Sequence, residues 1–330
     1  MSNLNKPQIQ VAKLPLKYKF RGLESREFAY FRGQFGLGEF APFIEYSKIE
    51  ATTWFKAGWE AANTDRNLII KNFVRDKVPI NITVPEIQIN EIESLLQKFS
   101  GCHVIKLKVN EFENIKPIIV ELIKQVPNSK FRLDVNGGWT FVKAKAEIPK
   151  FIEFLGDRLD YFEQPCAEIK DMAALRAEFK IKVAIDESIR KSMVQEGKNS
   201  KVNFSDFADV AIIKWAPSGG LTKALNLIET IGLPVVVSSA LDSPIGISYG
   251  LALAQSVKNL YGPCGLGTTA FFVTNSKKQE NFQLQIQNGF LSYFEADASG
   301  FADYSADNER NKWWQQRFDQ VWEYFLNERN

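Results

Sequence analysis

Five short segments that alternate apolar and ionisable residues recur along the chain about one strand-plus-helix unit apart, and this rhythm narrows the possible folds more than any other feature. IKLKV (105–109) carries Lys106 and Lys108, RLDVN (132–136) carries Asp134, FEQP (162–165) carries Glu163, AIDES (184–188) carries Asp186, and IIKW (212–215) carries Lys214. Asp134, Glu163, Asp186 and Lys214 follow one another at intervals of 29, 23 and 28 residues. A (β/α)₈ barrel uses roughly 30 residues per unit, so acids and lysines near successive strand ends would meet at one barrel mouth. An open doubly wound sheet has the same alternation, but no GxGxxG opens a helix after any strand, which weakens a nucleotide-binding version.

The alternation predicts strands near 103–109, 131–136, 159–164, 182–187, 210–215 and 234–239, with a last short one near 260–267. Apolar residues at helical spacing fill the stretches between them. Residues 96–279 are therefore expected to form the barrel. Residues 1–95 read as an α+β capping domain: three antiparallel-type strands, then a helix from Ser47 to Ala62 with Ser47 as N-cap and Glu50 closing a capping box. The segment 280–330, hairpin-like over 282–294 and then amphipathic-helical, is expected to rejoin that domain.

Composition removes several function classes. A net charge of +2 with both signs interspersed gives no nucleic-acid footprint. No apolar run is long enough to cross a bilayer and no signal-type segment opens the chain, so a cytoplasmic protein without a membrane partner is expected. Cys102, Cys166 and Cys264 are odd in number and far apart, which indicates neither a disulfide framework nor a structural zinc site. A single histidine, His103, leaves no room for a multi-histidine metal site. Proton transfer then falls to Lys, Asp, Glu or Tyr.

Side chains alternate across a strand, so Ile105, Leu107 and Val109 should face the helices while Lys106 and Lys108 point inward. The same split turns Arg132, Asp134 and Asn136 inward, and Ile212 with Lys214. Inward charges in a parallel barrel need partners or a metal. Three carboxylates suit Mg²⁺, which prefers oxygen ligands and can act as a Lewis acid on a substrate carboxylate, stabilising the enediolate left when an α-proton departs. Lys106, beside Lys108, would lower its pKa and make it a usable base.

Taken together, IKLKV, RLDVNGGW, YFEQP, IDES, IIKW…GG and VVSSALDS, with GLGEFAPF near the N-terminus, resemble the enolase superfamily in its muconate-lactonising subgroup, and most closely its o-succinylbenzoate synthase family. The resemblance runs from about residue 18 to 270. It implies a modified (β/α)₇β TIM barrel under an α+β cap, with Asp134, Glu163 and Asp186 as Mg²⁺ ligands. It implies Lys108 as the acid/base, Lys214 on the opposite face stabilising the enediolate by a cation–π contact, and Lys106 tuning Lys108. Arg132 and Asn136 would support the metal shell, and the Lys19–Glu24 loop and the segment holding Ser238, Ser239 and Asp242 would meet a small carboxylate substrate. The implied activity is dehydration of 2-succinyl-6-hydroxy-2,4-cyclohexadiene-1-carboxylate to 2-succinylbenzoate, in menaquinone biosynthesis. N-acylamino acid racemases and dipeptide epimerases share the motif set, and a silent barrel scaffold is the alternative of another class. Trp215 and Val135 are bulkier than the residues many relatives carry there, which should alter the pocket's shape.

Overall fold

In the computed structural model, which describes residues 5–194, 202–273 and 284–328, the chain opens with a three-stranded antiparallel sheet. Its strands are β1 (Ile9–Phe20), β2 (Leu23–Arg32) and β3 (Leu37–Phe40), paired in that order. Only Arg21 and Gly22 connect β1 to β2, and both take positive φ, 54° and 74°. A two-residue hairpin that follows the strands' native twist needs this backbone, which costs glycine little and arginine more. The helix α1 (Lys48–Asn63) starts where the sequence places it, with Ser47 and Glu50 closing the capping box. It lies so close to β3 that a side chain on Gly58 would collide with the Glu39 carbonyl.

A short helix α2 (Arg66–Ile70) and strand β4 (Val78–Pro79) lead into the barrel. Its staves are β5 (Ile82–Val84), β6 (Val104–Lys108), β7 (Lys130–Asp134), β8 (Leu159–Glu163), β9 (Val183–Ile185), β10 (Val210–Ile213) and β11 (Val235–Val237), all parallel in sequence order. Between them run α3 (Ile92–Leu96), α4 (Phe112–Gln125), α5 (Phe141–Leu155), α6 (Ile169–Phe179), α7 (Glu187–Val194) and α8 (Leu221–Ile231), and α9 (Pro244–Ser256) follows β11. Residues 259–266 form the eighth stave. On one side Tyr261 and Gly265 donate their N–H groups to Val235 and Val237 (2.8 and 2.9 Å); on the other Cys264 donates to Pro79 (2.7 Å) and accepts from Asn81 (3.0 Å). The sheet is therefore a closed (β/α)₇β barrel rather than an open one. It begins at Ile82, inside the stretch 1–95 expected to belong wholly to the cap.

The strands end earlier than the alternation suggests, and the ends carry the ionisable residues. Lys108, Asp134 and Glu163 are the last residues of β6, β7 and β8, while Asp186 and Lys214 stand one residue beyond β9 and β10. Below them Tyr161, Ala184, Val210, Ile212 and Val236 fill the barrel with apolar side chains.

The strand β12 (Phe290–Leu291) pairs with β4 at the barrel, not with the cap, and it is far shorter than the hairpin read over 282–294, of which residues 282–283 lie outside the described residues. Only then does the chain return to the cap, where Phe301 packs on Phe28 and Tyr30 and helix α10 (Asn308–Asn327) lies on α1. Phe55 of α1 meets Phe318, Trp322 and Phe325 of α10 at ring-centroid distances of 5.4, 5.7 and 5.0 Å. No helix among the described residues is long and apolar enough to cross a membrane. Because Phe55 is the hub of this aromatic cluster, Phe55→Ala should cost about 3–5 kcal/mol of stability by urea denaturation.

Candidate active site

Strand ends and the loops after them bring the ionisable residues to one mouth of the barrel, and the cap covers it. The cavity there is narrow, about 70 Å³. Lys106, Lys108, Asp134, Asn136, Asp186, Glu187, Lys214, Ser238 and Ser239 line it from the barrel, Phe20, Arg21 and Phe43 from the cap. The pleat explains the convergence: alternate residues of each strand point inward, and parallel strands bring their C-terminal ends to the same level.

Ion pairs organise the floor. The Lys106 ammonium lies 2.7 Å from Glu163 Oε1 and 3.0 Å from Asp134 Oδ2, and Lys214 lies 2.6 Å from Asp186 Oδ2. Burial, then Asp134, push the Glu163 carboxyl up to about 8, against the pull of Lys106. Burial is the largest single influence on Lys214 and lowers it, but the charge and hydrogen bond of Asp186 together with Glu187 hold it above the usual amine range. Lys108 is different: burial lowers it most, Arg21, Lys106 and Lys214 lower it further, and only Asp134 pulls the other way. Its ammonium position lies 5.9 Å from the Phe20 ring.

Among the described residues no three acidic, histidine or cysteine side chains are gathered as a finished metal cage, because lysines hold the acids. The donor set nevertheless fits a hard divalent cation. Glu163 Oε2 and Glu187 Oε2 are buried and have no hydrogen-bond partner, and the acids on adjacent strand ends raise one another's affinity for positive charge.

Several expected residues sit elsewhere. Arg132 faces inward, but two residues earlier on its strand, roughly 7 Å deeper. There it pairs with Asp160 (2.7 Å), donates to the Pro263 carbonyl (2.5 Å) and stacks on Tyr161 and Tyr261. It belongs to the barrel's lower plug and not to the support of the acids. Asp242 leaves the cavity because Leu241 takes a left-handed backbone (φ 59°) that turns the chain toward the cap. In the Lys19–Glu24 loop only Phe20 and Arg21 reach the cavity, while Lys19 pairs with Glu24 outside it. Trp215 is buried against Tyr249, and Val135 is buried in the core, so neither lines the cavity. Asn136 sits on the rim, donating from its side chain to Glu187 (3.2 Å) and from its backbone to Asp134 (3.0 Å).

Gln164 was missed by the sequence reading. Its side chain accepts from the Asp186 and Ser188 N–H groups (3.3 and 3.1 Å) and donates to the Ser188 hydroxyl (2.8 Å), so it sets the turn that presents Asp186. Gln164 takes a positive φ of 43° just before Pro165, where a residue is ordinarily extended, so local sequence pattern carried no signal for its role. The single histidine is exposed at the other end of β6 from Lys108, and burial pushes the Cys166 and Cys264 thiols up to about 11.

Comparison with known proteins gives the architecture relatives. A family described as enolase N-terminal domain-like matches residues 11–62, and one described as enolase C-terminal domain-like matches residues 91–300. The o-succinylbenzoate synthase of Mycobacterium leprae is 40% identical over 81% of this chain and 78% of its own. That of Mycolicibacterium smegmatis is 36% identical over 93% and 92%. Among solved structures, the muconate lactonizing enzyme of Pseudomonas fluorescens complexed with muconolactone superposes with a TM-score of 0.67 at 18% identity, over 91% of this chain and 98% of that one. An enolase from the same species, with bound magnesium, potassium and tartrate, gives 0.70 at 16% over 97% and 96%.

Because Glu163 keeps a proton below about pH 8, binding Mg²⁺ there should expel it. Titration calorimetry in buffers of different ionisation enthalpy should show proton release at pH 7 and an affinity that climbs with pH and levels off above 8. Glu163→Gln should abolish the proton release.

Proposed function

The chain belongs to the enolase superfamily and, within it, to the o-succinylbenzoate synthase family, and on that premise we propose how its residues do the work. It is a hydro-lyase that converts 2-succinyl-6-hydroxy-2,4-cyclohexadiene-1-carboxylate into 2-succinylbenzoate. Enzymes of this superfamily generally use Mg²⁺. One observation carries the assignment of roles: three carboxylates stand at or just past the ends of three adjacent strands, with Lys108 on the strand before them and Lys214 after the strand that follows.

In our reading Asp134, Glu163 and Asp186 hold the divalent ion. Bound there, it would supply positive charge to the substrate carboxylate and so acidify the adjacent C–H bond. Lys108, whose pKa burial and the neighbouring cations lower, takes that α-proton in its neutral form. The C–O bond to the ring hydroxyl then breaks, Lys108 returns the proton to the departing oxygen, and one water leaves as the ring becomes aromatic. No oxidant is needed. Lys214, kept as an ammonium by Asp186, faces the ring from the other side and stabilises the charge that develops in it. Lys106 holds Asp134 and Glu163 in register and repels a proton from Lys108. Ser238, Ser239 and Asn136 line the space left for the substrate, together with Arg21.

The environment lowers the Lys108 pKa, so its neutral form gains at lower pH than a free amine would allow. Turnover should therefore rise with pH through a value below the usual lysine range. In an ultraviolet assay of the cyclohexadiene substrate with saturating Mg²⁺, Lys108→Ala should lower kcat by at least about 10³-fold while calorimetry shows Mg²⁺ still bound. Retained turnover in that variant would remove Lys108 from the acid/base role.

A further inference from the structure

Beside the active site, where cap meets barrel, lies a second group of ionisable residues to which no step above gives a role. Glu39 of β3 and Arg26 of β2 come from the cap; Asp242 and Ser243 come from the loop that opens α9. All four are buried, with exposures of 2, 3, 1 and 1%. Glu39 Oε2 crosses the boundary to accept the N–H groups of Ser243 (3.1 Å) and Gly246 (3.3 Å) and the Ser243 hydroxyl. Arg26 donates to the Leu241 carbonyl on the barrel side (3.2 Å) and to the Ala41 carbonyl on the cap side. One cap carboxyl thus satisfies the orphan donors at the start of a barrel helix, and one cap guanidinium fixes the turn before it.

The charges do not balance in the simplest protonation state. Glu39 Oε1 and Asp242 Oδ1 are both buried without a hydrogen-bond partner. Both carboxyl groups crowd the same spot: a Cβ on Gly246 would lie 2.7 Å from Glu39 Oε1 and 3.2 Å from Asp242 Cγ. Arg26 is the cation that acts on both. Arg21 and Tyr46 act on Arg26 from the cap, and from the barrel Lys214 and the Trp215 indole act on Asp242; that indole N–H also lacks a partner. Two ionised carboxylates in so dry a place would face one adjacent guanidinium.

We propose that Glu39 and Asp242 hold one proton between them at neutral pH and, with Arg26, form a buried key that positions the cap's cavity-lining residues against the barrel. Their surroundings agree with this: burial, then Asp242, push Glu39 up to about 8, and burial pushes Asp242 up to about 6. The key reaches the cavity through Phe43. The guanidinium of Arg26 lies 4.4 Å from the centre of the Phe43 ring, and so does that of Arg21, whose side chain lines the cavity with Phe43. In so narrow a cavity a small displacement of these two residues changes the space left for a ligand. Glu39 and Arg26 are positioning residues; neither lines the cavity.

The sign of the pH effect follows. Glu39 binds its proton more tightly in the folded protein than the unfolded one, so its contribution to stability is complete below its ordinary value of 4.5 and is lost as pH rises through about 8. Glu39→Gln keeps an acceptor for the α9 donors and an N–H for Asp242 but has no proton to lose. In full-length protein, melting curves recorded from about pH 5 to 9 should therefore show wild type losing Tm relative to Glu39→Gln as pH rises. The KM of wild type, saturated with Mg²⁺, should climb relative to the variant's over the alkaline half of that range. Glu39→Ala, which strands the α9 donors and Arg26, should raise KM about tenfold at neutral pH with kcat within threefold. Parallel Tm–pH curves for wild type and Glu39→Gln would overturn the shared proton. An unchanged KM in Glu39→Ala would overturn the positioning role; if that variant does not fold, equal alkaline KM rises in wild type and Glu39→Gln do so. The KM arm rests on the dehydration reading above. A wild type inactive on the cyclohexadiene substrate would count against that reading, and the melting curves would still decide the shared proton.

Discussion

Four carboxylates and three lysines share the mouth of one barrel, and their mutual neutralisation is the condition on which the site rests. Burial disfavours the charged forms of Glu163, Asp186 and Glu187. Lys106 and Lys214 compensate part of that charge, and the unpartnered oxygens of Glu163 and Glu187 mark where more is wanted. Lys108, with no acid of its own among the described residues, is left with a depressed pKa by burial first and then by the same crowding of cations. Affinity for a divalent ion and basicity of one amine are two results of one charge distribution.

The apolar layer beneath makes this arrangement possible. Tyr161, Ala184, Val210, Ile212 and Val236 pack together beneath the acids and fill the barrel with apolar side chains. Arg132 seals the next layer down against Asp160 and two tyrosines. Each strand therefore has a vertical division of labour along one inward face: packing in the middle, charge at the end. The cap completes the enclosure, and Phe20, Arg21 and Phe43 come to it from a hairpin turn and from the residues that follow β3.

Much of this was legible in the sequence. Period-two alternation fixed which residues of 105–109 and 132–136 turn inward, and the capping box at Ser47 set the start of α1. Depth along a strand was not legible, which is why Arg132, on the correct face, lies in the wrong layer for the site. Ile82–Val84 escaped notice because three residues, one of them Thr83, are too short a run to show a period. Asp242 was misplaced for a related reason: one left-handed residue, Leu241, reverses where a side chain goes, and local pattern carries no signal for it. Gln164 acts through backbone N–H groups twenty or more residues away, a relation that spacing cannot reveal.

The helix α9 is buried over its whole length, from Pro244 to Ser256, and carries no charged residue. Its N-terminal donors are satisfied by Glu39, and Tyr249 donates to the Leu37 and Ala61 carbonyls (3.3 and 2.9 Å), all three in the cap. A barrel without its cap would leave this stretch facing water with orphan donors and an apolar surface. Cap and barrel therefore cannot serve as separable modules: the two halves share one cooperative folding unit, and grafting this barrel under a foreign cap would expose an aggregation-prone helix before it altered any chemistry.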